Sequence, residues 1–427
     1  MEQSITRNDH YSLATQWDAN SAVVLAYITV DTHRENSITD QALHHLYPDA
    51  LLAGAGKFSR EAFLNAVNLL GADIAVGITD GRLTLTLRAT NAAFPKLLPL
   101  VQTMLTTPTF SATELERITL NVRNELHIKQ EQSATIAREQ LRNSFYKASD
   151  RRYTASDKEI NAALETIDTT ALHTFHTYVL SAPWSCSIAA DESAITQFKK
   201  MIARSKNTIE NNATVKAHEQ KTAVRAVHLK QIPSKANIDF SIGIPLPITI
   251  HHPDYVPVTF ALGVLGIPGF AGRLMSTVRD KEGLTYSIYA YAETFSGHEH
   301  GYARILTFFT PEKTIQGLTA TFREIKKFYE KGISQSEFET FQTIFQTRQT
   351  LLQDSLLKQL GDLHAFNQNG FSIEEMKHFK QQLGTITRSQ VNAAIKTYFN
   401  PACFTISGAG PIHNIEKEIR EFVSSVT

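Results

Sequence analysis

At 427 residues the chain is too long for one small domain and suits two or three. Hydrophobic residues at 42% and charged residues at 20% describe a globular protein and exclude a disordered one. The 42 basic and 42 acidic residues cancel, which argues against nucleic acid or an anionic membrane as the main partner. Two cysteines, Cys186 and Cys403, without ligand spacing indicate neither a disulfide framework nor a cysteine–zinc site.

The start, "MEQSITRNDHYSLAT", scatters its charges and has no apolar core, so it does not read as a signal peptide. A cytoplasmic location is expected, or a periplasmic one if a leader has been removed. Next, "ALHHLYPDALL" (42–52) reads as a short helix with His44, His45 and, one turn beyond His45, Asp49. These are the residue types of a metal site, of its remnant, or of an ordinary surface; His44 reads as a solvated helix residue. "SREAFLNAVNLLG" places Phe63, Val67 and Leu70 at helical spacing and stops at Gly71. In "ADIAVGITDGRLTLTLRA", Leu83, Leu85 and Leu87 alternate and Asp80-Gly81 suits a tight turn, which predicts a hairpin. Helices follow from about 91 and from 111, the second opening on a capping box, Ser111 with Glu114.

An internal repeat organises the rest. "TIDTTALHTFHTYVLSAPWSCSIAA" (166–190) and "TITRSQVNAAIKTYFNPACFTISGA" (385–409) each read as a capped helix, a Thr-Tyr, a proline and a short apolar strand. A second capping box, Ser334 with Glu337, keeps nearly the same offset from the first. Two similar halves follow, 1–212 and 213–427, with the polar run 205–222 as a linker. Strands that come in pairs suggest an α+β layer, a mostly antiparallel sheet covered by helices in each half.

In the second half Ile238, Phe240 and Ile242 alternate as a strand. The longest uncharged run, "YVPVTFALGVLGIPGFAG" (255–272), carries Pro257, Pro268 and four glycines. It predicts a buried helix entering a glycine-rich loop rather than a membrane span. That loop lacks the Lys-Ser/Thr of a phosphate loop. A helix is expected over about 271–281, stopped by Gly283, and then a strand in which Tyr286, Ile288 and Ala290 share a face. Arg279 and Tyr286 would then meet, a cationic fork beside a phenolic donor suited to a carbonyl or a developing oxyanion. The alternative is an arginine at a helix C-terminus and a half-buried tyrosine. "SGHEHG" (296–301), with His298 and His300, reads as an exposed hairpin loop.

The run "GIPGFAGRLMSTVRDKEGLTYSIYAY" resembles the second-half signature of the pitrilysin-type zinc metallopeptidases, through Gly269, Gly272, Arg273-Leu274, Val278-Arg279, Lys281, Gly283-Leu284 and Tyr286. The duplicated α+β layout is similar over nearly the whole chain, and implies a clam-shell of two similar domains. In the family, the arginine and tyrosine grip the substrate backbone across from the zinc; Arg279 and Tyr286 occupy those positions. The family's zinc motif, H-x-x-E-H, is absent from this sequence. Its place falls on "HLYPD": His45 stands for the first ligand, Pro48 for the catalytic glutamate and Asp49 for the second histidine, with Glu125 as the distal ligand. Proline is no general base, and it would disturb the helix presenting His45 and Asp49.

The resemblance therefore implies a non-catalytic subunit without metal of its own. A homologous partner with zinc would complete a heterodimeric peptidase, and this chain would hold the peptide through Arg279 and Tyr286. The rival expectations are a structural or assembly protein of the same superfamily, or a homodimer that binds peptides without cutting them.

Overall fold

The computed structural model of the protein describes residues 2–32, 37–205, 225–267, 272–352 and 354–425. The expected linker (205–222, but for Ser205) and the boundary at 212/213 lie outside the described residues. The chain forms two units, each assembled from three segments.

The first unit takes Met1–Leu126, Thr154–Lys216 and Thr350–Lys377. Its strands are β1 (Glu2–Arg7), β2 (Tyr11–Trp17), β3 (Val23–Asp31), a small ribbon of β4 (Gly54–Ala55) and β5 (Phe58–Ser59), β6 (Asp73–Thr79), β7 (Arg82–Thr90) and β8 (Trp184–Ala190). Six of them form one sheet in the order β1-β2-β8-β3-β7-β6, antiparallel except where β2 meets β8. The β6–β7 hairpin turns as expected: Asp80 and Gly81 have φ of 46° and 66°, and Leu83, Leu85 and Leu87 bury on one face. Helices Arg60–Asn68, Phe94–Thr106 and Thr169–Ser181 add Phe63, Val67, Phe94, Val101, Leu172 and Phe175 to the same core.

The second unit takes His127–Tyr153, Ala217–Gln349 and His378–Thr427. Its strands are β9 (Val227–Gln231), β10 (Ile238–Leu246), β11 (Ile288–Glu293), β12 (Gly301–Phe309) and β13 (Thr405–Gly410), in the order β11-β12-β10-β13-β9. Read from its other edge, that order reproduces β2-β8-β3-β7-β6 of the first unit, down to the single parallel pair, β9 with β13. The two copies of the sequence repeat thus end in β8 and β13, which hold the same place in their sheets. The uncharged run forms the helix Tyr255–Gly266, almost wholly buried; Pro268 to Ala271, including Gly269, lie outside the described residues.

Each sheet is covered on its second face by a helix that the repeat pattern assigns to the other half of the sequence. Ser133–Phe145 packs on β10, β13 and β9, and Leu356–Gln368 packs on β8, β2 and β3. Ala137, Leu141 and Phe145 bury in the first case. Gly243 permits the approach, because a Cβ there would stand 2.9 Å from a Leu141 methyl and 2.6 Å from the Ala303 carbonyl. In the second case Leu360 and Leu363 bury, and polar contacts join them. His364 lies 2.7 Å from Ser187 Oγ and 2.9 Å from Thr29 Oγ1, stacks on Tyr27, and is followed by Asn367, which donates to the Cys186 carbonyl at 2.8 Å. Covering both faces explains why β3 and β10 bury nearly continuously while β6 and β7 alternate.

Candidate functional site

The helix Ile38–Leu52 starts at Ser37, whose side chain accepts from Asp40 N at 3.0 Å. It continues through Pro48, contrary to the expected disturbance. A proline removes one donor from the ladder, but Leu43, Leu46, Tyr47, Ala50 and Leu51 bury along one side, and packing decides the helix. His45 and Asp49 lie one turn apart, both exposed, and Glu125 is exposed on the helix Ala112–Lys129. Among the described residues no group of three or more His, Cys, Asp or Glu could hold a metal ion. With Pro48 in the place of a base, these residues do not fit a catalytic zinc.

His44 is not a solvated residue. It is half-buried, its Nε2 3.0 Å from Thr32 Oγ1 and its ring edge-on to Phe175. Beneath the helix lies a polar chain that sequence reasoning missed. The Leu105 carbonyl, 2.9 Å from His176 Nε2, can only accept, so Nε2 carries the proton. Nδ1 then accepts from the fully buried Tyr47 hydroxyl at 2.6 Å. Burial pushes the imidazole down to about 4 and keeps it neutral, and burial raises the Tyr47 phenol. Tyr47 and His176 are 129 residues apart, so no local motif signals the pair.

In the second unit the segment around Arg279 begins as α-helix at Arg273-Leu274 and becomes a π-helix over Met275–Lys281. An ordinary helix was expected. The wide turn closes with Glu282 N donating to Thr277 O at 3.1 Å and Leu284 N to Val278 O at 3.0 Å, while Gly283 reverses the chain at φ 61°. Leu274, Met275 and Val278 anchor it in the core. Arg273 ties its start to the next helix: Nη2 donates to the Gly332 carbonyl and to Glu337 Oε2, each at 2.7 Å. The same Glu337 closes the predicted capping box, accepting from Ser334 N at 2.8 Å and donating its own N–H to Ser334 Oγ at 3.2 Å. Burial pushes the Glu337 carboxyl up, but the donors of Arg273 and Ser334 outweigh it and hold the group below its ordinary value. Lys313 Nζ donates to the Gly283 carbonyl at 3.0 Å, and Arg323 pairs with Glu282.

This framework brings the Arg279 guanidinium to 5.0 Å from the centre of the Tyr286 ring. Tyr286 is 75% exposed, which replaces the half-buried alternative. It precedes the sheet rather than opening it, since β11 begins at Ile288. Thr285 Oγ1 bonds the Ser287 carbonyl at 3.1 Å and receives Ser287 N at 3.3 Å, a local turn that competes with the ladder. Ile288 and Ala290 bury on one face as expected.

The "SGHEHG" segment is not an exposed hairpin loop. Ser296 and Glu299 are buried, and Arg151 donates to Glu299 Oε2 at 2.7 Å. Arg152, ion-paired with Asp150 at 2.7 Å, also donates to the His300 carbonyl. Of this segment's two histidines His298 is exposed and His300 half-buried.

Residues 167–345 match the family described as peptidase M16 inactive domain. That match supports the resemblance to the pitrilysin type over those residues. No curated protein matches it. Its fold is similar to that of a peptidase M16 inactive domain from Pseudomonas fluorescens, with TM-score 0.84 and 19% identity over 96% of this chain and 98% of the other. It is also similar to a protease from Helicobacter pylori (TM-score 0.78, 14% identity, 96% and 99% covered). A third likeness is to a conserved protein from Enterococcus faecalis V583 (TM-score 0.76, 14% identity, 94% and 96% covered). The α+β class is therefore borne out, and the match over residues 167–345, which contains the Arg279–Tyr286 run, supports the family read from it. Among the described residues no helix of this chain is long and apolar enough to cross a membrane.

Proposed function

We propose that this chain is the peptide-holding, non-catalytic subunit of a two-subunit zinc endopeptidase. The supporting observation is the presentation of Arg279 against the ring of an exposed Tyr286, on a turn fixed by buried apolar residues and by Arg273, Lys313 and Arg323. A guanidinium and a phenol are donors, and together they suit the carbonyl oxygens of an extended peptide. Donors set in advance where negative charge develops lower a barrier without reorganising, and holding the peptide in place adds to that. A homologous partner subunit contributes H-x-x-E-H and its zinc, because the residues at His45, Pro48, Asp49 and Glu125 do not fit one.

The test is reconstitution. The chain is purified alone and with a candidate H-x-x-E-H homologue, bound zinc is measured, and cleavage of a quenched peptide library is followed. The chain alone shows no cleavage, and the mixture is active. Arg279→Ala and Tyr286→Phe slow the mixture while the complex still elutes as one species. Zinc-dependent cleavage by the lone chain, or unchanged turnover in both variants, overturns the proposal.

A further inference from the structure

The π-helical turn has a second polar side that takes no part in the Arg279–Tyr286 pair. Ser276, Thr277 and Lys281 line an open cavity of about 430 Å³. Its other walls are Arg273, Glu324, Lys327, Lys331, Glu337 and Phe341, all within the second unit. That volume lies within the ~300–1,000 Å³ usual for small-molecule sites.

The charges in this cavity do not balance. Four cations, Arg273, Lys281, Lys327 and Lys331, face two carboxylates, Glu324 and Glu337. Both carboxylates are already engaged: Glu337 with Arg273 at 2.7 Å, and Glu324, which is nearly buried, with Lys327 at 2.9 Å and Arg323 at 3.7 Å. Among the described residues Lys281 and Lys331 make no ion pair, and the Ser276 and Thr277 hydroxyls make no hydrogen bond. Two ammonium groups and two hydroxyls are thus left with their donors unused around one concavity. Clefts lined by one sign of charge concentrate counter-ions, and lysine serves phosphate as a point charge with rotatable donors.

We propose that this cavity binds a small multiply charged oxyanion of the diphosphate class, with Lys281 and Lys331 as its charge partners and Ser276 and Thr277 as hydroxyl donors. A diphosphate carries charge on two phosphoryl groups, one for each lysine, whereas a monocarboxylate carries a single charge for the two. The site is independent of the peptide-holding role proposed above, because its ligand meets neither Arg279 nor Tyr286.

The experiment is calorimetric titration of the full chain with inorganic pyrophosphate at low ionic strength. One saturable site is expected, weakening steeply as salt is raised. The double variant Lys281→Met, Lys331→Met lowers affinity at least tenfold, and Ser276→Ala with Thr277→Ala lowers it severalfold. A control double variant on the exposed helix face, Lys199→Met with Lys200→Met, binds as the parent does. Circular dichroism of each variant keeps loss of binding separate from loss of fold. Absence of a saturable site in the parent overturns the proposal, as does equal loss in the control. So does sedimentation with phosphatidylglycerol vesicles without pyrophosphate binding, which would assign the lysines to a lipid surface.

Discussion

In the first unit the helix Ile38–Leu52 turns its tyrosine inward, joining Tyr47 to His176 and the Leu105 carbonyl, and leaves His45 and Asp49 exposed, with no metal-ligand group among the described residues. In the second, the π-helical turn keeps a cation and a phenol at the surface and ties its own ends to neighbouring helices. Both segments belong to units whose sheets share a five-strand order. The difference teaches that the fold of the repeat imposes no chemistry. One copy turns its tyrosine into the core, and the other leaves a tyrosine exposed beside an arginine.

If the second unit's chemistry depends on buried scaffolding, removing that scaffolding has the largest effect. Arg151→Met removes the guanidinium from the buried Glu299 charge, and is expected to destabilise the protein by about 3–5 kcal/mol in urea unfolding. Adding Glu299→Leu recovers most of that loss; no recovery would refute the ion-pair account. Next comes the pair itself. In a reconstituted peptidase, Arg279→Ala lowers kcat by roughly 10²–10³-fold, the usual cost of losing one preorganised donor, and Tyr286→Phe by less.

The inward chemistry of the first unit has its own signature in pH. Burial holds His364 down to about 3 and His176 down to about 4, both below the ordinary 6.5. Each neutral imidazole therefore contributes stability that is full above pH 6.5 and is lost as pH falls toward those values. At pH 5 the loss is on the order of 2 kcal/mol per histidine. Urea midpoints at pH 7 and pH 5 measure it, and His364→Gln should flatten the dependence.

Smaller effects test the capping and the surface. Ser334→Ala removes a cap that shares Glu337 with Arg273, and costs about 1 kcal/mol. His45→Ala with Asp49→Ala should change stability by no more than about 0.5 kcal/mol, with no change in bound metal. A larger loss, or a drop in zinc content, would give those two residues a role that their exposure does not suggest.

The candidate site was legible in sequence wherever local chemistry decides. Arg279 and Tyr286 are seven residues apart across a glycine that reverses the chain, and the turn brings their tips together. The two capping boxes and the Asp80-Gly81 hairpin are local in the same sense. Most of what failed needed the surroundings. Pro48 was expected to disturb a helix that packing keeps intact. His44 was expected in solvent, yet Thr32 and Phe175 enclose it. The 296–300 loop was expected to be exposed, and Arg151 and Arg152, some 148 residues away in sequence, bury it.

The sequence by itself determined most of the elements and the repeat, because helix caps, strand alternation and turn glycines act over a few residues. Only the tertiary structure decided which sheet each helix covers. The helices Ser133–Phe145 and Leu356–Gln368 advertise an apolar face but carry no address, and each covers the sheet built mainly by the other half of the chain. The physical reason is that burial is non-directional: an amphipathic stripe states that a surface must be covered, and only the assembled core states which one.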